Sequence, residues 1–284
     1  QRLPDPTGRL HATLRRHDGD LHIELHGEGI DLGPVVSLAG AEFPPLADLD
    51  LQAAGRADLQ LRAHRVGGNW NGKGDIGIAA LDATARQGRD AIEDLHLELH
   101  LDLNLEPEPE PELQGQVQRH GGPWTLQAVA HLAGGQAYVE PVFVDFAAVP
   151  ARLELRLRRP AASADVSVER LDWNQAGLGR LSGRAELTTP PLAVRSAELN
   201  WSDLHLDPAF TTYLQPFGVG QPWSRLALQG RSDGHARIRD GRLDAMDLSL
   251  RRTQLDYPPA SLQLQDIDAR LHWARRGDVT PSQL

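Results

Sequence analysis

Two stretches carry histidine and carboxylate at a spacing suggestive of metal ligands: His22-x-Glu24-x-His26 and His96-x-Glu98-x-His100. On a β-strand each trio would share one face. Alternate residues of a strand stand about 7 Å apart, however, and a zinc ion draws its ligands in to about 2.1 Å. Both trios therefore read as parts of a solvated polar face. Carboxylates that could form a glycosidase pair are spread evenly along the chain, and nothing marks two as partners. No G-x-S-x-G elbow occurs. Gly177-x-Gly179 and Gly218-x-Gly220 lack the third glycine and the following helix of a phosphate cradle. Asp233-Gly234 and Asp240-Gly241 read as hairpin turns, without the spacing of a calcium loop. The expectation is a non-enzymatic protein with neither cofactor nor metal.

The elements that hold these residues announce themselves by alternation. From Asp94 the chain reads DLHLELHLDLNLE, with Leu95, Leu97, Leu99, Leu101, Leu103 and Leu105 at a strict spacing of two. A helix would scatter those leucines around its circumference, whereas a strand gathers them on one side. The same pattern recurs at Leu10/Ala12/Leu14, Leu21/Ile23/Leu25, Leu59/Leu61/Ala63, Trp124/Leu126/Ala128, Leu153/Leu155/Leu157, Leu248/Leu250 and Ala269/Leu271/Trp273. Gly55 reads as a break between two such runs, and Asp18-Gly19 as a turn. The best helical candidate, Ala209–Leu214, is short. The fold class predicted is all-β: an elongated, curved, mainly antiparallel sheet with an apolar groove. A closed β-sandwich is the alternative, since period-two alternation describes both.

Composition narrows the partners. Thirty-nine Asp and Glu against 29 Lys and Arg leave a formal charge of −10, which argues against nucleic acid. There is no cysteine, so disulfides and thiolate metal sites are excluded. Aromatic residues are only 5% of a chain whose hydrophobic fraction is 40%, so aliphatic side chains supply most of the apolar surface. The six leucines of the long run represent about 9–18 kcal/mol of burial and must be covered by something. Facing strands would cover them in a sandwich, and lipid tails in a groove. The residues expected to meet acyl chains are Leu59, Leu61, Leu95, Leu97, Leu99, Leu101, Leu103, Leu126, Leu153, Leu155, Leu248 and Leu250. Trp70, Trp124, Trp173, Trp201, Trp223 and Trp273 suit stacking on sugars, a lipid head-group boundary, or the plugging of sheet ends.

Organisation is read as three parts. Residues 1–206 form a repetitive sheet region with an acidic, proline-rich segment at 106–112 (EPEPEPE), stiff and unable to pair as a central strand. Residues 207–222 form a loop-rich connection and residues 223–284 a C-terminal β segment, possible parts of one continuous domain.

The segment from Trp223 to Gly277, with its "RIRDGRL" turn, "LDAMDLSL" strand and "LQLQDIDARLHW" close, resembles the AsmA-like family of Gram-negative envelope proteins. Leu49–Ala63 and Leu95–Leu105 share its texture. The resemblance implies a periplasmic, bridge-like β-sheet that carries phospholipid or another acyl-chain lipid between the inner and outer membranes. It also implies inner- and outer-membrane protein partners and an anchor helix outside this sequence. The chain, beginning at Gln1, is then expected to be an internal or processed segment. The rival reading is a structural or glycan-binding β-sandwich of a cell-envelope or secretion assembly.

Overall fold

The computed structural model describes residues 8–42, 50–106, 122–161, 163, 165–188 and 193–275. The acidic stretch 106–112 lies outside them beyond Glu106, as does Leu49. Among the described residues fifteen strands form one antiparallel sheet. They are β1 (Arg9–His17), β2 (Asp20–Asp31), β3 (Gln52–Val66), β4 (Asn69–Ala85), β5 (Asp90–Leu105), β6 (Trp124–Leu132), β7 (Gln136–Val139), β8 (Val142–Asp145), β9 (Ala151–Arg159), β10 (Val166–Gln175), β11 (Gly179–Thr188), β12 (Ala193–His205), β13 (Ala227–Arg239), β14 (Arg242–Tyr257) and β15 (Leu262–Ala274).

The path is a meander, β1-β2-β3-β4-β5-β6-β9-β10-β11-β12-β13-β14-β15, with the short β7–β8 hairpin hung from β5. The two ends of the path do not pair, so the sheet is not a barrel; among the described residues the strands form one sheet and not the two of a sandwich. Across residues 206–226, β12 pairs directly with β13, so the sheet runs through that connection without a break.

Up-and-down order puts alternate connections at opposite ends of the strands. At one end lie the tight turns at Asp18-Gly19, Gly67-Gly68 and Asp240-Gly241. At the other lie the bulky connections: helix α1 (Leu32–Glu42), the β7–β8 hairpin and the helical segment 206–225, within which Ala209–Leu214 is a π-helical turn. We call these the turn end and the capped end. Helix α1 carries a start signal that the alternation pattern does not report: Asp31 stands just before it and accepts the Gly33 N–H (3.0 Å), and Pro34 lies in its first turn, though no basic residue marks its last.

Several expected strand boundaries dissolve into bulges. Gly55 does not end a strand; it lies inside β3, with φ +129°, opposite Ala80 and Leu81 of β4. Asp233-Gly234 is not a turn but the middle of β13. Each extra residue shifts the apolar parity by one, so a single bulged strand looks in sequence like two short ones. Strand β14 passes from Leu248 and Leu250 to Thr253 and Leu255 in this way, and β15 from Leu262 and Leu264 to Ile267, Ala269 and Leu271.

Four of the bulges share a device. A bulge leaves a backbone N–H without a ladder partner, and here an aspartate of a neighbouring strand accepts it. The Gly29 N–H donates to Asp58 (2.7 Å), Asp94 to Asp82 (2.9 Å), Asp203 to Asp233 (2.8 Å) and Arg252 to Asp268 (2.8 Å). All four donors have positive φ.

Candidate functional site

The cross-strand register joins the apolar residues of neighbouring strands into rows that run the length of the sheet. One row reads Ala12–Leu25–Leu61–Gly74–Leu101–Ala128–Leu155–Leu171–Gly183–Leu199–Ala236–Met246–Trp273. A parallel row passes through Leu10, Gly27, Leu59, Ile76, Leu99, Ala130, Leu153, Trp173, Leu181, Trp201, Gly234, Leu248 and Leu271. At about 4.8 Å per strand, thirteen strands carry these rows about 58 Å. The leucines of β5 are thus one rung of a longer apolar face, whose continuous direction lies across the strands.

Leu59, Leu61, Leu97, Leu99, Leu101, Leu103, Leu126, Leu153, Leu155, Leu248 and Leu250 all lie on this face and are all half-buried. Their shielding comes largely from the sheet itself. Large side chains lean over glycines on adjacent strands: Leu61 over Gly74, and Trp201 over Gly234, where a Cβ would come within 2.1 Å of the indole. The Trp201 indole N–H also donates to Ser232 (3.1 Å). Toward the sheet edges exposure rises, to 67% at Leu14 and 50% at Leu271.

Leu95 is different. It is 3% exposed and belongs to a closed cluster with Val144, Phe146 and Ala151, ringed by Leu81, Leu132, Trp173 and Tyr213. Here the β7–β8 hairpin and the helical connection fold over the capped end of the face. Leu95 is therefore core and not open surface, contrary to its expected place among the residues that meet acyl chains. The Tyr213 hydroxyl donates to the buried Gln175 side chain (2.5 Å), and burial pushes the Tyr213 phenol up despite that bond. Trp173 packs edge-on against Phe146 in this plug, and Trp223 against Phe210 in the helical connection.

The opposite face is charged and wet. Ladders of arginine and carboxylate cross it, such as Arg184–Glu198 (2.6 Å) and Arg156–Glu169 (3.0 Å), each worth little at such exposure. A depression of about 800 Å³ on this side is lined by Arg158, Glu169, Arg184, Glu198 and Arg237, among others. The two histidine trios do not converge. His22 bonds sideways to Glu24 (3.2 Å), which holds the Glu24 carboxyl below the ordinary carboxylate range, and His26 to Glu28 (3.3 Å). His100 pairs across the strands with Asp75 (2.5 Å). Among the described residues no cluster of three His, Asp or Glu has metal-binding geometry.

At the turn-end margin of the apolar face the sequence singles out Trp70, Leu105 and Trp124 but not the arginines that flank them, nor their alignment. There the register lines up Arg65–Trp70–Leu105–Trp124–Arg159 on five successive strands. The Arg65 guanidinium lies 5.9 Å from the Trp70 ring centre and that of Arg159 lies 5.8 Å from Trp124. The signal was present in the alternation: in LQLRAHR and LELRLRR the final arginine has the parity of the leucines.

Compared with models of known protein families, with curated proteins and with solved structures, the chain matches none. The AsmA-like resemblance therefore rests on sequence texture alone.

Proposed function

We propose that the apolar face binds the acyl chains of lipids and that the protein is a non-enzymatic lipid-binding segment. The observation that carries this reading is the continuity of half-exposed aliphatic rows across thirteen strands. Scattered surface leucines are ordinary; a contiguous apolar surface of this extent marks a surface that meets something apolar. Acyl chains suit it because the rows are smooth and aliphatic, with glycine and alanine between the leucines and few aromatic plates. Lipid would be held by area, not by any one residue, and could shift from strand to strand without breaking a directional bond. In the AsmA-like reading this motion carries phospholipid between two membranes, in the periplasm, with membrane proteins at either end.

The test is native mass spectrometry of the purified chain, with organic extraction of what co-purifies. Phospholipid released on unfolding is the expected result. A bare mass, unchanged after incubation with phospholipid vesicles, would exclude the proposal. Leu99→Asp sharpens the test: it should abolish lipid uptake while leaving the strand signal in circular dichroism, because among the described residues no second layer packs over Leu99.

A further inference from the structure

We infer that the row Arg65–Trp70–Leu105–Trp124–Arg159 is a headgroup seat: it holds the anionic headgroup of a phospholipid whose tails lie along the strands toward the capped end. The inference rests on the lipid-binding reading above and adds to it a polarity and a class of lipid.

Charge placement supplies the argument. The chain as a whole carries −10, and its carboxylates gather on the polar face. By the register, the leucine side of the described strands carries charge only at its two margins. At the turn end are Arg65 and Arg159, with Arg16 of β1 in the same row beyond Leu21. At the capped end is Asp90, tied to Arg86. No ion pair joins Arg16, Arg65 or Arg159 to a carboxylate among the described residues. Arg159 donates one guanidinium N–H to the Gly122 carbonyl (2.7 Å), while its buried Nε has no partner among those residues.

The chemistry of the row is that of an interface. Tryptophan and arginine each present an apolar body and a polar tip, and an indole face accepts a guanidinium. On one side of the row the next residues are Ala63, Gly72, Leu103, Leu126 and Leu157; on the other are the strand ends. An amphiphile with an anionic head fits this sequence of surfaces in one orientation, because at the far margin Arg86 and Asp90 already neutralise each other, while the arginines without a carboxylate partner among the described residues stand at the turn end. Length agrees. From Leu105 to Leu97 is eight residues, about 26 Å at about 3.3 Å per residue. One leaflet of hydrocarbon is about 15 Å, half the bilayer core, so the tails end before the plug around Leu95.

The experiment compares binding of the full chain to phosphatidylglycerol and to phosphatidylcholine vesicles by flotation, in low and high salt. The variants are Arg65→Gln/Arg159→Gln and a control on the polar face of the same two strands, Arg62→Gln/Arg158→Gln. The expected result is preference for phosphatidylglycerol, weakened by salt, with roughly a tenfold loss in the first variant, the scale of a lost charge-assisted bond. The control keeps wild-type binding, and circular dichroism verifies that both variants fold. Equal binding of the two lipids, unchanged in Arg65→Gln/Arg159→Gln, overturns the headgroup seat and leaves the lipid reading standing. Binding to neither lipid overturns both. Inorganic phosphate alone displacing the vesicles at the lipid's own concentration shows a free-phosphate site, and overturns the seat.

Discussion

The aspartates that receive bulge amides are single residues on which whole strands depend. Asp233 accepts the Asp203 N–H at 2.8 Å and also meets Arg251 at 2.6 Å. Asp233→Ala should leave the Asp203 amide unpaired and cost about 1–2 kcal/mol. Hydrogen exchange at Asp203 would report it directly, as faster exchange confined to the neighbouring bulge. Tyr213 makes a second prediction, with a pH signature. Its phenol is raised by burial, so the stability tied to the neutral form is complete below the unfolded value of about 10 and is lost as pH rises through the higher folded value. Tyr213→Phe should cost about 1–3 kcal/mol at neutral pH, because Gln175 loses its partner while buried. The same variant should lack the alkaline component, visible as a flatter melting temperature between pH 9 and 11. Neither role was legible in the sequence. An Asp-Gly pair reads locally as a turn, and only the register shows that Asp233 serves a bulge one strand away.

At the scale of elements, one strand carries two environments. Leu95→Ala should cost about 2–5 kcal/mol, the range for emptying a closed core. Leu101→Ala, six residues along the same strand, removes a half-buried side chain and should cost about 1 kcal/mol. Thermal denaturation of the two variants side by side checks the contrast. The alternation of β5 put all six leucines on one side correctly, but it could not show what lies above them. That depends on the β7–β8 hairpin and on Tyr213, which come from 40 residues and more away in the chain. Parity also hid strand lengths: a bulge interrupts the period of β13, β14 and β15, so the run Leu248/Leu250 stops well short of the end of its strand. Read the other way, a change of parity without an intervening turn is itself a signature of a bulge, and it was present in the sequence throughout.

For the whole molecule, connectivity governs stability. Along the path each strand bonds to its neighbours in the chain or across one short hairpin, and the closed cluster around Leu95 lies near the middle. Cooperativity should weaken with distance from that cluster. Amide protection should be highest in β5, β6, β9 and β10 and fall toward the exposed edge strands β1 and β15. A uniform protection pattern, as in a two-state domain, would contradict this. The all-β class and the two-faced character of the sheet were legible in period-two alternation. The single-sheet order was not, because many similar strands permit many pairings.

The meander has one more consequence, and it concerns length. Adding or deleting one hairpin changes the sheet by two strand spacings, about 10 Å, and requires new pairing at one seam only. Distance is thus counted out in hairpins, as on a ruler with regular divisions. Span could change by duplication or loss of a division while every other register stays as it was.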